Sequence, residues 1–202
     1  MPPLGRPRSE EARTAVLRAV DDLLVEEGYA GVTMKGIAQR AGVGRQTVYR
    51  WWSTPAQILL EACVADTQQE LRSPPEPDAH RQLVLHLRLL AAFLRHSHAG
   101  AAYLALLGAA QHDDLVRDLV RTADILAPSA RECLLRVAAR TGLALADHLD
   151  LHVAELVGPT VYAVLSGAPV PDAERLAGDL LRSWESLHGV TSATPPAVGR
   201  PS

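Results

Sequence analysis

Residues 33–52 place the tightest constraint on how this chain folds. They read TMKGIAQRAGVGRQTVYRWW, with apolar residues at the three- and four-residue spacing of an amphipathic helix on both sides of a glycine. Thr33 is a suitable cap for the first helix, and Gly42 is suited to end it. The second helix begins at Gly44 or Arg45. The segment therefore predicts two short helices joined by a tight turn.

The helical pattern extends to both sides of this segment. Apolar residues on one face predict a first helix that begins at its cap, Ser9, and ends at Glu27, before a glycine. Residues 54–57, Thr-Pro-Ala-Gln, combine a threonine cap, a proline at the first helical position and a glutamine placed to complete a capping box. They predict a connecting helix over residues 54–72. The side chains expected to be buried behind the turn are Val48 and Trp52.

The helical pattern is interrupted at residues 73–77, Ser-Pro-Pro-Glu-Pro. A domain boundary is therefore predicted near this segment. Further along, Pro128 leaves open whether residues 113–141 form one helix or two, the second starting from a capping box at Ser129. Pro159 predicts a bend. The helices predicted beyond the boundary are 79–96, 99–110, 113–141, 150–167 and 172–188.

No stretch shows the alternation of a half-buried strand, so the chain is predicted to be all-α. Residues 9–53 are predicted to form a three-helix helix-turn-helix domain, and residues 79–189 a larger helical domain. Residues 1–8 are expected to be a flexible basic arm. The Pro-rich residues 190–202 are expected to be a disordered tail.

Charge separates the two parts of the chain. Residues 1–52 carry eight Arg or Lys against six Asp or Glu, whereas residues 53–202 carry twelve against seventeen. Between Glu27 and Glu61 there are four basic residues and no acidic one, in a chain with a formal net charge of −3. A small basic helix-turn-helix on an otherwise acidic protein is typical of a module that meets a phosphate backbone.

A helix-turn-helix places its second helix in the major groove of DNA, while the first helix crosses the backbone. On that geometry Arg45, Gln46 and Thr47, at the N-terminal end of the second helix, point at base edges. Arginine can pair with guanine and glutamine with adenine. The basic arm either reaches the minor groove or serves only as a solubilising tail. Further DNA contacts predicted from their positions are Arg6, Arg8, Thr33, Lys35 and Arg50.

The helix-turn-helix resembles the DNA-binding domain of the TetR family of transcriptional regulators, over about residues 10–63. A weaker resemblance covers residues 156–162, which are similar to the penultimate helix of some TetR-like regulators. The residues that carry the first resemblance are Gly28-Tyr29, Val32-Thr33, Ile37-Ala38, Ala41-Gly42-Val43, Thr47-Val48-Tyr49 and Trp52.

The resemblance implies a DNA-binding regulator, with Tyr49 in contact with a phosphate. It also implies a C-terminal helical domain that binds a small-molecule effector and dimerises through its last two helices. Such a homodimer would bind a pseudo-palindromic operator, most often as a repressor. The residues expected at the dimer interface are Val157, Val161, Leu165, Leu176, Leu180, Trp184 and Leu187, and those expected in the pocket wall are Phe93, Tyr103, Leu107 and Tyr162.

Three positions depart from the family pattern. Gly44 stands where relatives often have a serine that caps the recognition helix, Pro55 where they often have a lysine, and Trp51 where histidine or tyrosine is frequent. Gly44 and Pro55 are the main support for an alternative: a small-molecule-binding or protein-interaction protein whose DNA-binding domain is degenerate. The acid-free basic run argues against that alternative.

Other classes of protein find little support. Motifs of enzymes such as Gly-x-Ser-x-Gly, the phosphate loop and His-Glu-x-x-His do not occur, so no enzyme activity and no cofactor are predicted. The pair His148 and His152 has no thiolate or carboxylate at ligand spacing, so no metal site is predicted. The chain has no signal peptide and no apolar run of about 18 residues, and a cytoplasmic protein without membrane contact is therefore expected.

Overall fold

The protein is described by a computed structural model covering residues 6–188, in which the side chains of residues 6–9, 65 and 188 are left undescribed. Within that range the regular elements are ten α-helices and two short 3-10 turns. The helices are α1 Arg6–Glu27, α2 Met34–Arg40, α3 Arg45–Tyr49, α4 Pro55–Glu70, α5 Ala79–His96, α6 His98–Ala109, α7 Asp114–Ala123, α8 Ala127–Thr141, α9 Leu149–Ser166 and α10 Ala173–His188.

The start of α1 corrects the sequence prediction. The helix begins at Arg6, so Ser9 lies inside it and is not its cap, and Arg6 and Arg8 belong to the helix rather than to a flexible arm. Pro7 is compatible with this start because the first helical turn has no intrahelical use for its missing N–H. Residues 1–5 of the predicted arm, and the predicted tail, lie outside the described residues.

One apolar core runs from the helix-turn-helix into the C-terminal helices. Val16 of α1, Ile37 of α2 and Val48 of α3 are wholly buried, and they belong to the same cluster as Leu59 of α4 and Leu106 of α6. Helix α4 packs against α1 on one side and against α6 and α7 on the other. The two parts of the chain therefore share their hydrophobic contacts instead of closing separately around independent cores.

The loop between α4 and α5 is held in place by hydrogen bonds to α5 and α8. Ser73 is buried, and its hydroxyl accepts a hydrogen bond from Gln82 Nε2 at 3.1 Å. Its carbonyl oxygen accepts from Arg136 Nη1 at 2.6 Å. Gln82 lies on α5 and Arg136 on α8, so the proline-rich loop is fastened to both helices.

The open question about residues 113–141 resolves to two helices, α7 and α8. The break lies at residues 124–126, ahead of Pro128, where Asp124 takes the left-handed conformation with φ of 47°. Ser129 lies inside α8 and donates its hydroxyl to Leu126 O at 3.0 Å, so it does not begin the helix. Across the described residues, no helix is both long and apolar enough to cross a membrane.

Candidate nucleic-acid interface

Helix α2 begins as its sequence predicts. Thr33 Oγ1 accepts a hydrogen bond from Gly36 N at 3.0 Å, which satisfies one of the free N–H groups of the first turn. Met34 and Ile37 are buried against α1, whereas Thr33 and Lys35 face solvent. The start of α2 therefore presents a hydroxyl and an ammonium on the outer surface, with the apolar face packed inward.

The turn between α2 and α3 depends on a glycine. Gly42 has φ of 66°, in the left-handed region that favours a residue without a Cβ. The chain then reverses, and Val43 N donates to Ala38 O at 3.0 Å. Gly44 is the N-terminal flanking residue of α3 and provides no side-chain cap, in line with the departure seen in the sequence.

Helix α3 is short and divides cleanly into two faces. Val48 is wholly buried and anchors the helix on the core. On the opposite side Arg45 and Gln46 are exposed, and the Tyr49 side chain is 55% exposed. Thr47 is half-buried, which leaves its side chain less accessible than those of its two predecessors. The predicted base-reading residues thus lie together at the N-terminal, outward-facing end of α3.

The four basic residues of the acid-free run do not share one role. Arg40 is neutralised within the chain: its Nη2 lies 2.5 Å from Glu26 Oε2 and its Nη1 3.9 Å from Asp22 Oδ2, both on α1. The Arg40 guanidinium lowers the pKa of Glu26 below its usual value. In the described part of the chain, the remaining three basic residues have no carboxylate within 4 Å. These are Lys35, Arg45 and Arg50.

A partly buried network of side chains lies behind α3. Trp52 follows the helix and is buried, and its Nε1 donates to Glu61 Oε2 on α4 at 2.9 Å. The other oxygen of Glu61 lies 2.6 Å from Arg13 Nη2 on α1. Trp51 packs edge-on against Trp52 with ring centroids 5.4 Å apart, and Arg50 Cζ lies 4.8 Å from the Trp51 ring centroid. Neither Arg13 nor Glu61 was predicted to be part of this site, because their pairing joins helices distant in sequence.

The capping box predicted for α4 is present. Thr54 Oγ1 accepts from Gln57 N at 3.3 Å, and Gln57 Oε1 accepts from Thr54 N at 3.3 Å. Pro55 occupies the first turn without the cost of a lost hydrogen bond. This box fixes the direction in which α4 leaves the helix-turn-helix toward the C-terminal helices.

The four residues predicted for a pocket wall lie in different environments in the structure. Tyr103 is half-buried and lines a cavity of about 460 Å³ between α6, the α7–α8 connection and α9. Leu107 is half-buried but does not line that cavity. For the other two the structure corrects the prediction: Phe93 is packed in the core, and Tyr162 is 72% exposed on the outside of α9. Helical spacing places a residue on a face but does not say what covers that face.

The residues predicted for the dimer interface also differ in their exposure to solvent. Leu165 on α9 and Leu187 on α10 are 54% and 65% exposed, and Tyr162 precedes Leu165 by three residues on α9. Trp184 is wholly buried, and its Nε1 donates to Glu155 Oε2 on α9 at 2.7 Å, so its ring belongs to the core of its own chain. The partly buried members of the predicted set, which pack against the apolar core, are Val157, Val161, Leu176 and Leu180.

The fold and the site define a helix-turn-helix regulator: a short basic recognition helix on a larger helical domain. Comparisons with known proteins agree. The family described as bacterial regulatory proteins of the tetR family matches residues 16–62. The HTH-type transcriptional regulator YdeS of Bacillus subtilis is 34% identical over 174 residues, covering 84% of this chain and 86% of YdeS. The chain belongs to the TetR family of transcriptional regulators, which are not enzymes.

Two further similarities differ in extent. The HTH-type transcriptional regulator AqdR of Rhodococcus erythropolis is 31% identical over 86 residues, which is 43% of this chain and 42% of AqdR. The crystal structure of the TetR family transcription regulator SCO0332 has a TM-score of 0.69 and 29% identity, covering 85% of this chain and 97% of that one. The fold therefore resembles a TetR family structure in its C-terminal helices as well as in the DNA-binding domain.

Proposed function

We propose that this protein is a ligand-responsive repressor that binds a pseudo-palindromic DNA operator as a homodimer. The observation that carries the proposal is the outer face of α3. Arg45 and Gln46 are exposed at its N-terminal end, and neither is engaged by a carboxylate in the described structure. Because arginine and glutamine read guanine and adenine edges in the major groove, these two side chains are the proposed sequence readers.

Phosphate contacts are proposed for the residues around α3. Lys35 at the start of α2 and Arg50 at the end of α3 are charges without an intrachain ion pair, and Tyr49 adds an exposed hydroxyl. Together with Thr33 they surround the base-reading residues, as positioning contacts do in a helix-turn-helix. Arg40 is left out of this set, because Glu26 and Asp22 already neutralise it. Arg6 and Arg8 remain proposed contacts from the first turn of α1.

The homodimer is proposed from apolar side chains that the chain leaves uncovered. Leu151, Tyr162 and Leu165 on α9 and Leu187 on α10 are each more than half exposed. A single helix-turn-helix reads only a few base pairs, and a two-fold dimer presents two of them about one DNA turn apart. Tyr162→Glu is expected to shift sedimentation from dimer to monomer at micromolar concentration, whereas Leu135→Glu, an exposed leucine on α8, is the matched control.

The effector response is proposed for the cavity beside Tyr103. Its volume of about 460 Å³ lies in the range that small ligands occupy, and Val157 and Val161 of α9 line it. A ligand there would contact α9, the same helix that carries the proposed dimer residues. If it favours a conformer in which the two recognition helices are wrongly spaced, operator DNA is released.

The test is selection from a random pool of double-stranded DNA by the full-length chain. The expected result is an enriched inverted repeat. Arg45→Ala is expected to relax the preference at one base pair and weaken binding by about 1–3 kcal/mol, while Arg140→Ala, an exposed arginine on α8, leaves selection unchanged. Enrichment of no palindrome, with only weak salt-sensitive binding, would instead support the degenerate DNA-binding domain, for which the uncapped Gly44 is the favouring observation.

A further inference from the structure

A groove of about 740 Å³ shares no lining residue with α3 or with the cavity beside Tyr103. One wall is formed by residues 29–32, which precede α2, and by residues 53–57, the first turn of α4. The other wall is α7, from Asp113 to Thr122. We call this feature the junction groove, because it lies where the helix-turn-helix meets the C-terminal helices.

The junction groove is largely apolar. Val32 and Ala56 are buried in its wall on the helix-turn-helix side, and Leu119 is half-buried on the α7 side. Leu115 is 71% exposed although it lies in the first turn of α7 beside these residues. A leucine this exposed, next to other apolar lining residues, gains free energy when a ligand covers it.

The charged side chains that line the groove are both carboxylates, Asp113 and Asp118. Asp113 accepts from Leu115 N at 2.9 Å and from Val116 N at 3.3 Å, and none of the described basic side chains lies within 4 Å of its carboxylate. Asp118 is partly compensated by Arg121 Nη2 at 3.2 Å. No lysine, arginine or histidine is among the residues that line the groove. Burial raises the pKa of Tyr29, and the Asp113 carboxylate raises it further, as expected for a tyrosine on the opposite wall near that charge.

Two helix N-termini border the groove, and such ends ordinarily attract anions. Here part of each end is already engaged. The capping box of Thr54 and Gln57 closes the first turn of α4, and the Asp113 carboxylate accepts from two N–H groups at the start of α7. An incoming anion would meet the carboxylates, whereas a cation would be attracted to them and to the Tyr29 ring.

We propose that the junction groove is a binding site for a small amphipathic organic cation, whose apolar body covers Leu115 and Leu119 and whose positive charge lies near Asp113. The volume suits a ligand of drug-like size. If the protein binds an operator as proposed above, this site also couples ligand binding to DNA binding. Its occupant contacts residues just before α2 and just after α3, so binding of the cation and binding of the operator alter each other's affinity.

The probe is octyltrimethylammonium, titrated calorimetrically into the full-length chain without DNA. Saturable binding is expected, with weaker binding of octanol and none of octyl sulfate, which carry the same chain with no charge and with the opposite charge. The Asp113→Asn variant keeps a good helix cap but removes the charge, and its affinity for the probe is expected to fall about three- to fivefold. Asp118→Asn is expected to lose less, because Arg121 already offsets its charge.

The matched control is Asp78→Asn, which removes another exposed capping aspartate, at the start of α5, whose Oδ1 accepts from Arg81 N at 2.8 Å. Its affinity for the probe is expected to be unchanged. Non-saturable binding, equal binding of octyl sulfate, or equal affinities of wild type, Asp113→Asn and Asp118→Asn would each overturn the site. Because this titration contains no DNA, its outcome is independent of the proposed repressor function.

A second measurement tests the link to DNA, using the sequence recovered by selection. A saturating concentration of the probe is expected to change operator affinity in wild type and not in Asp113→Asn measured at the same concentration. Unchanged operator affinity in wild type would overturn the link.

Discussion

Replacing Glu61 by alanine tests whether the network behind α3 holds the recognition helix in place. Glu61 on α4 accepts a hydrogen bond from Trp52 Nε1 at 2.9 Å, and its other carboxylate oxygen forms an ion pair with Arg13 Nη2 at 2.6 Å. Glu61→Ala removes both contacts at once and leaves the indole N–H of a buried tryptophan without its acceptor. Alanine is a good helix former, so the substitution does not itself disfavour α4.

The magnitude follows from the two contacts. A hydrogen bond to a charged group contributes about 1.5–3 kcal/mol, and the loss includes the unsatisfied donor that remains. The Arg13 side chain is 45% exposed, so its ion pair adds under about 1 kcal/mol after solvent screening. We expect Glu61→Ala to lower the free energy of unfolding by about 2–3 kcal/mol. For a chain of this length that corresponds to a fall in Tm of about 5–10 °C.

The assay is urea unfolding at one fixed protein concentration, because association makes apparent stability depend on concentration. Glu70→Ala is the control on the same helix. It removes only the acceptor of the Ser97 hydroxyl, at 2.8 Å, near the surface, and is expected to cost under about 1 kcal/mol. Trp52→Phe and the double variant complete a cycle that isolates the indole–carboxylate pair.

Two results would refute this reasoning. A Glu61→Ala variant within about 0.5 kcal/mol of wild type would show that the network does not stabilise the fold. A coupling free energy near zero between Trp52 and Glu61 would show that their hydrogen bond contributes nothing, whatever each single variant costs. With the expected coupling, Glu61→Ala also binds operator DNA more weakly, since the end of α3 loses its fixed position.

Three further predictions concern the site and its supports. Tyr49→Phe is expected to weaken binding to every operator variant alike, by about 1 kcal/mol, and to leave the salt dependence of binding unchanged because the hydroxyl is uncharged. In the same titrations, Lys35→Ala is expected to reduce the slope of log affinity against log salt concentration by about one. Thr54→Ala removes the capping box and should cost about 1 kcal/mol in urea unfolding, while Thr54→Ser should retain most of the stability. Burial, and next the charge of Asp66, raise the pKa of Asp21 from 3.8 to about 6, so stability is lost as pH rises from about 4 to about 6. Asp21→Asn should therefore melt higher than wild type at pH 7.5 and equally near pH 3.5, and equal melting at both pH values would remove the argument.

Much of the secondary structure was determined locally and could be predicted. The periodicity of apolar residues and the caps at Thr33 and Thr54 depend on contacts within four residues, and both caps accept the expected hydrogen bonds. The burial of Val48 and the exposure of Arg45 also follow from position on one short amphipathic helix. The error at the start of α1 arose because proline fits the first turn of a helix, so Pro7 does not prevent the helix from beginning at Arg6.

The tertiary structure decided which faces of the helices meet other helices and which remain open. Arg40 belongs to the basic run by sequence, yet α1 brings Glu26 and Asp22 against it and removes its charge from the proposed DNA contacts. Trp184 on α10 and Tyr162 on α9 are both large aromatic side chains, but the first is packed inside the chain and the second faces solvent. Hydrophobic burial has no preferred direction, so an apolar stripe shows that a face will be covered without showing by which surface. The sequence therefore determined the helices and the exposed face of α3, and only the packing of α9 and α10 separated core from exposed surface.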